Sequence, residues 1–206
     1  TLPTGSSESP TEIKQPQLAT LQIDPWFMVA PGGGAVRFRA PVNGATTENS
    51  NFPRTELREM TNNGATEASW DSNSGTHTMF IDQAITAVPF KKKHVVVGQV
   101  HDAESDVIFI RLEDRKLFIR VGGENVHTLD SDYSLGERFT IKFVVNGGET
   151  KVYYNGNAAP GYTLDHDYTD AYFKVGAYTQ SNCSKEESSQ CNDENYGEVL
   201  VYQATV

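Results

Sequence analysis

The sequence predicts an all-β fold, a sandwich of two antiparallel sheets in a jelly roll with a substrate groove on its concave face. Three observations predict it. Stretches with helical periodicity are scarce. About ten short segments alternate apolar and polar residues, the period of a strand with one buried face. Gly, Asn, Asp and Pro recur between them as turn signals. Taken in order, the clearest segments are 35–42 (AVRFRAPV), 54–60 (RTELREM), 76–85 (THTMFIDQAI), 94–103 (HVVVGQVHDA), 106–114 (DVIFIRLED), 116–123 (KLFIRVGG), 138–148 (RFTIKFVVNGG), 150–156 (TKVYYNG), 171–180 (AYFKVGAYTQ) and 196–206 (YGEVLVYQATV). ATLQI, 19–23, reads as a further short strand. DRK, NGGET and YNGN look like hairpin turns. The first 20 residues are rich in Pro, Ser, Thr and Glu and read as a flexible, loosely held arm. Without an internal repeat or a linker, residues 21–206 are expected to form a single domain.

Composition narrows the function classes. A chain of 206 residues is long enough to bury a core of its own. It contains no run of 18 apolar residues, so no membrane span is expected. The opening TLPTGSSESP lacks a charged segment followed by an apolar one, so a signal peptide is expected to be absent or already removed. The formal net charge of -10 does not suit general nucleic-acid binding. A local cluster of cations can still bind an anion on such a protein. Cys183 and Cys191 sit eight apart in a polar loop and are expected to form a disulfide, which favours a secreted, extracellular protein. So short a loop would gain about 2–3 kcal/mol in the chain-entropy account. Asn182-Cys183-Ser184 fits a glycosylation sequon. The five His are scattered and DSNSG, 71–75, lacks the distal Glu of a calcium loop, so neither metal nor cofactor is expected.

Three strands carry an unusual second face. In RTELR, Arg54, Glu56 and Arg58 share one face. In VVVGQVH, Val97, Gln99 and His101 share a face, opposite Val96, Gly98 and Val100. In YFKVGAYTQ, Lys174, Tyr178 and Gln180 oppose Phe173, Val175 and Ala177. A sandwich needs one apolar face per sheet. The other face of these strands offers Arg, Gln, His, Lys and Tyr. As neighbours on one curved sheet they would line a groove suited to an extended, anionic, hydroxyl-rich ligand. Arg37 and Arg39 alternate with Phe38 and could extend it, while KKKH, 91–94, reads as a solvated turn able to steer a polyanion.

RTELR at 54–58, QVH at 99–101 and YFKVGAYTQ at 172–180 resemble the three signature motifs of polysaccharide lyase family 7, the alginate lyases. The similarity also covers FRAPVNGATTENSNFPRTELREM and the terminal NYGEVLVY, and runs from about residue 20 to the C-terminus. Val175 and Thr179 depart from the usual Ala and Asn, both on the core face by parity. The resemblance implies β-elimination on a 4-linked uronate polymer. The C5 proton beside a carboxylate is removed, the 4-linked sugar is expelled, and an unsaturated uronate end remains.

The intermediate is an enolate-like dianion, so donors must meet the developing charge. Arg54, Gln99 and His101 suit this, Arg with a planar fork matched to a carboxylate. The resemblance assigns Tyr178 the acid/base role on mannuronate, where proton and leaving group lie on one side. On guluronate they lie on opposite sides and His101 becomes the base. A free phenol titrates near about 10, so a neighbouring cation has to assist it. Arg58, Lys174 and Gln180 are expected at substrate-binding subsites. Val100, between Gln99 and His101, accompanies mannuronate preference in the family, and the absence of a large insertion favours endolytic action. A monomer acting on alginate is expected. Other polyuronates such as glucuronan, or carbohydrate binding without catalysis, are the alternatives. A glycoside hydrolase would need two flanking carboxylates on one face, which the sequence does not offer.

Overall fold

The computed structural model describes residues 1–206. In chain order the strands are β1 (Gly5–Ser6), β2 (Ser9–Pro10), β3 (Phe27–Val29), β4 (Val36–Pro41), β5 (Arg54–Arg58), β6 (Met60–Thr61), β7 (Thr66–Glu67), β8 (Thr76–Ala87), β9 (His94–His101), β10 (Asp106–Glu113), β11 (Lys116–Val121), β12 (Glu124–Asp130), β13 (Arg138–Asn146), β14 (Glu149–Tyr154), β15 (Tyr162–Asp165), β16 (Tyr172–Thr179) and β17 (Tyr196–Thr205). Two antiparallel sheets dominate. One has six strands in the order β12-β11-β10-β9-β16-β5, the other seven in the order β15-β14-β13-β8-β17-β4-β3. The segments read from alternation are all present as strands. ATLQI is not: Gln17–Thr20 is a single 3-10 turn, and Ile23 makes only an isolated bridge to Phe27. The strands β12 and β15 escape the pattern because their side chains are mostly exposed or half-buried on both faces, so no alternation marks them.

The inner faces meet in one contiguous cluster of 26 buried residues, which makes helices unnecessary for closing the core. Phe38, Ile81 and Phe143 come from the seven-stranded sheet, and Val97, Ile110 and Phe173 from the six-stranded one. Each such side chain contributes about 1.5–3 kcal/mol by leaving water. Phe143 and Phe173 bring their rings within 6.4 Å, tying β16 to the sheet beneath it. Two glycines permit close approach. A Cβ on Gly98 would sit 2.7 Å from Ile81 Cδ1, and one on Gly176, at φ 143°, would sit 2.2 Å from the Thr55 carbonyl. Gly176 therefore lets β5 and β16 pair tightly.

The first 20 residues are placed differently from the loosely held arm that their composition suggests. The hairpin β1–β2 folds back so that the Leu2 amide donates to the Thr11 carbonyl, and Leu2 is buried. Thr1 exchanges two backbone hydrogen bonds with Glu56, and the Ala45 amide donates to the Pro3 carbonyl. The segment thus satisfies part of the exposed edge of β5, which otherwise has no strand on its outer side.

Candidate active site

The outer face of the six-stranded sheet collects the side chains singled out above. Pairing register puts them in rows across the strands. One row runs Arg54 (β5), Tyr178 (β16), Val96 (β9), Arg111 (β10), Phe118 (β11). A second runs Arg58, Lys174, Gln99, Phe109, Arg120 over the same strands. Tyr172 and His101 pair in a third. Strict alternation misplaces two residues here, Val96 and Val97. The register of β9 slips by one against β10 between Gly98 and Val96. This bulge sends Val97 into the core cluster, and leaves Val96, absent from that cluster, in the row with Tyr178. Gln99 and His101 keep the outer face.

Glu56 organises the centre of the site. It is buried, and its carboxylate accepts from Gln99 Nε2 at 2.5 Å, from Arg54 Nη1 at 3.2 Å and from Lys174 Nζ at 2.9 Å. Burial alone would push its carboxyl up, but Lys174 and Arg54 hold it below the usual carboxylate range. The Lys174 ammonium, expected to meet neighbouring uronates, is thus committed to Glu56, with its side chain only 11% exposed. In this arrangement it holds the Glu56 carboxylate beside Gln99 and Arg54. The sequence marks Glu56 only as the acid of RTELR. Its role as a hub needs the pairing of β5, β16 and β9.

Tyr178 stands beside this cluster. The Arg54 guanidinium lies over its ring at 3.8 Å from the centroid, and its hydroxyl is 2.8 Å from Ser50 Oγ. Ser50 belongs to loop 43–53, which Asn182 bonds through the Asn51 carbonyl. Cys183 and Cys191 are joined as expected and close the loop that directly follows Asn182. Gln180 is nearly buried, and its Oε1 accepts from Arg111 Nη1 at 3.4 Å.

His101 lies two residues beyond Gln99. Its Nδ1 is 2.6 Å from the Asp102 carbonyl, which can only accept, so this nitrogen carries the proton and Nε2 keeps the lone pair. Burial moves its pKa below the ordinary 6.5, an effect that the Asp102 carbonyl opposes and the Lys174 charge reinforces. The ring stacks on Tyr172, whose hydroxyl oxygen lies 3.1 Å from the same Nδ1 and whose ring carries the Arg58 guanidinium at 3.5 Å from its centroid. Arg58 also pairs with Glu67 at 3.3 Å. Tyr172 is legible as the first residue of YFKVGAYTQ, but without a role; Ser50 and Arg111 are not, because a lone Ser or Arg on a loop or strand has no distinguishing pattern.

Two residues considered for the groove lie elsewhere. Arg37 and Arg39 are on β4 of the other sheet, where both pair with Glu198. A separate cleft touches Glu56 and Arg58 from the other side. It runs along the other flank of β5, among Leu2, Ile13, Leu18 and Phe27, and includes none of Gln99, His101 and Tyr178. The candidate site is an open face, the shape a polymer needs.

This face can neutralise a carboxylate and move protons at its neighbouring carbon, and the comparisons agree with that chemistry. The family described as alginate lyase matches residues 1–206. No curated protein matches the chain. Among solved structures, an alginate lyase of polysaccharide lyase family 7, AlgAT5, is 48% identical with a TM-score of 0.89, over 97% of this chain and 92% of that one. The alginate lyase from Corynebacterium sp. is 47% identical with a TM-score of 0.94, over 99% and 91% respectively. A truncated AlyQ, with carbohydrate-binding and alginate lyase domains, is 33% identical with a TM-score of 0.81, over 91% of this chain and 56% of that one. With its jelly-roll sandwich and its Arg, Gln, His and Tyr on one open face, the chain belongs to the alginate lyases of polysaccharide lyase family 7 and is a polysaccharide lyase.

Proposed function

We propose that this alginate lyase cuts within the polymer, prefers mannuronate blocks, and performs the elimination with Arg54, Gln99, His101 and Tyr178. The observation that carries the reading is the Glu56 cluster, which holds an amide and a guanidinium side by side, with the phenol against the guanidinium.

The uronate carboxylate is bound by the free donors of Arg54 and Gln99. Gln99 gives one N–H to Glu56, which fixes the amide's orientation and leaves its second N–H for substrate. As the C5–H bond breaks, charge moves onto the carboxylate, and donors already in place stabilise it without reorganising. On mannuronate, Tyr178 as phenolate takes the C5 proton. The electron pair forms the C4–C5 double bond, the C4–O4 bond breaks, and the same phenol returns a proton to O4. The Arg54 guanidinium keeps a positive charge beside the ring throughout, and Ser50 holds the phenol oxygen. On guluronate the proton lies on the other side, and His101 Nε2 is the base while Tyr178 protonates O4.

The preference for mannuronate rests on the single phenol that serves both steps. Val100 is fully buried, so its association with that preference is indirect. Endolytic action rests on the position of Tyr178 within the sheet, with β5 on one side and β9–β12 on the other. A chain can then extend past the reacting bond in both directions.

The test is the growth of unsaturated-uronate absorbance on pure poly-mannuronate and poly-guluronate, with products sized over time. Mid-length products early, and faster growth on poly-mannuronate, are expected. Early release of only the smallest products would overturn the endolytic reading. Tyr178→Phe is expected to lower turnover about 10²–10⁴-fold on both polymers, the usual worth of general acid/base groups. Retained turnover would remove Tyr178 from the mechanism.

A further inference from the structure

We propose that Arg111 and Arg120 form a second carboxylate-binding position for the alginate chain, on the side of Tyr178 away from β5. The inference rests on the reading that the polymer is cut at Tyr178 and extends it along the same face.

Register places both arginines on the path. Arg111 occupies the Tyr178 row and Arg120 the Gln99 row, each two strands further on. At the spacing of paired strands that is roughly 9–10 Å from the reacting centre, within reach of a polymer crossing the sheet. The Arg111 Nη1 contact to Gln180 Oε1 makes the two regions continuous.

The local chemistry suits a uronate. Phe109 and Phe118 alternate with the arginines in the two rows, and the Arg120 guanidinium lies 5.9 Å from the Phe109 ring centroid. Apolar ring faces below and planar cations beside them match a sugar acid, whose carbon face is apolar and whose carboxylate accepts a guanidinium fork.

The cations are short of counter-charge. Arg111 and Arg120 share one carboxylate. Glu113 Oε1 accepts from Arg111 Nε at 2.8 Å and from Arg111 Nη2, and from Arg120 Nη1 at 3.5 Å. Asn125 also donates to it at 3.3 Å. His94 faces the same carboxylate at 3.9 Å, but burial brings its pKa down to about 4, so it adds no charge at neutral pH. Lys92 stands close enough that its own pKa is lowered, by burial first and then by Arg111 and Lys185. The acid on the far side, Asp106, is held up by burial and opposed by His101 and Arg120. Arg120 Nε, buried, has no partner, although its two terminal nitrogens reach Asn125 Oδ1 and the Gly123 carbonyl. A second carboxylate would balance the excess charge that Glu113 leaves.

The experiment compares Arg111→Ala/Arg120→Ala with the parent enzyme on long poly-mannuronate and on the shortest oligomer that the parent cleaves. KM for the long chain is expected to rise about tenfold, with kcat kept and the short oligomer unaffected. An unchanged KM on the long chain, or an equal rise on both substrates, would overturn the proposal. Should the double variant unfold, Arg120→Gln carries the same comparison, because its amide still donates to Asn125 and Gly123. Failure of the catalytic assignment is separable: it would appear as turnover retained in Tyr178→Phe, and would leave the chain-length comparison readable.

Discussion

Two carboxylates on the outer face of the six-stranded sheet are surrounded by cations, and they do opposite work. Glu56 is fully enclosed, with side-chain exposure of 1%, and it meets a guanidinium, an ammonium and an amide. Glu113 is 20% exposed and is shared by two guanidinium groups and a neutral imidazole. In the dry site each ion depends on its partners, because removing one leaves an uncompensated charge. In the wetter site water screens the pair, and its net worth is small. The same residue types therefore make a rigid frame in one place and an unsaturated anion-binding surface in the other.

The largest effect should come from breaking the frame. Glu56→Gln keeps the shape and leaves Arg54 and Lys174 buried without a counter-charge. A loss of about 3–5 kcal/mol of stability is expected, read by thermal or denaturant unfolding. Turnover should fall at least about 100-fold as Gln99 and Arg54 lose their fixed orientation. The pH dependence has a definite sign. The folded-state pKa of Glu56 lies below its ordinary 4.5, so its stabilisation is complete above that value and is lost as pH falls through the folded pKa. The variant should lack this component of acid unfolding. Parent-like stability and rate would show that Glu56 is not the hub.

His101 sharpens the comparison by an intermediate amount. Burial disfavours the imidazolium, so the neutral base persists below the ordinary 6.5. The acid limb of kcat/KM on poly-guluronate should therefore fall below pH 6.5, and His101→Asn should abolish most of that activity. A limb above 6.5 would place the titrating group elsewhere.

Much of this was legible in the sequence, and the rest fails for identifiable reasons. Parity within RTELR and YFKVGAYTQ fixes the outward rows because both segments are paired without slippage to each other. Parity within HVVVGQVH fails at Val96 and Val97, because a bulge depends on the partner strands and leaves no mark in the strand itself. Arg111 and Arg120 look like solvated strand residues in DVIFIRLED and KLFIRVGG. Only the register of β9, β10 and β11 aligns them with Gln99 and Tyr178. Lys174 shares the parity of Tyr178, yet parity cannot reveal that Glu56 holds its ammonium. The first 20 residues are polar on average, but local composition carries no information about the edge of β5 that Thr1 meets.

The smallest effect should come from the wetter carboxylate, and its direction separates the two sites. Glu113→Gln removes a partly screened charge, so stability should change by about 1 kcal/mol or less. The amide can still accept from Arg111, while the local charge becomes more positive by one. Binding of long alginate should tighten, with KM falling on polymer and staying level on the shortest substrate. The gain should shrink as salt rises, since the added attraction is electrostatic and only partly shielded by protein. Glu56→Gln is the same chemical change and should destroy function, whereas Glu113→Gln should improve capture of the polymer. A loss of activity at both positions would mean that Glu113, too, is part of the frame, and that the arginines it holds are already balanced.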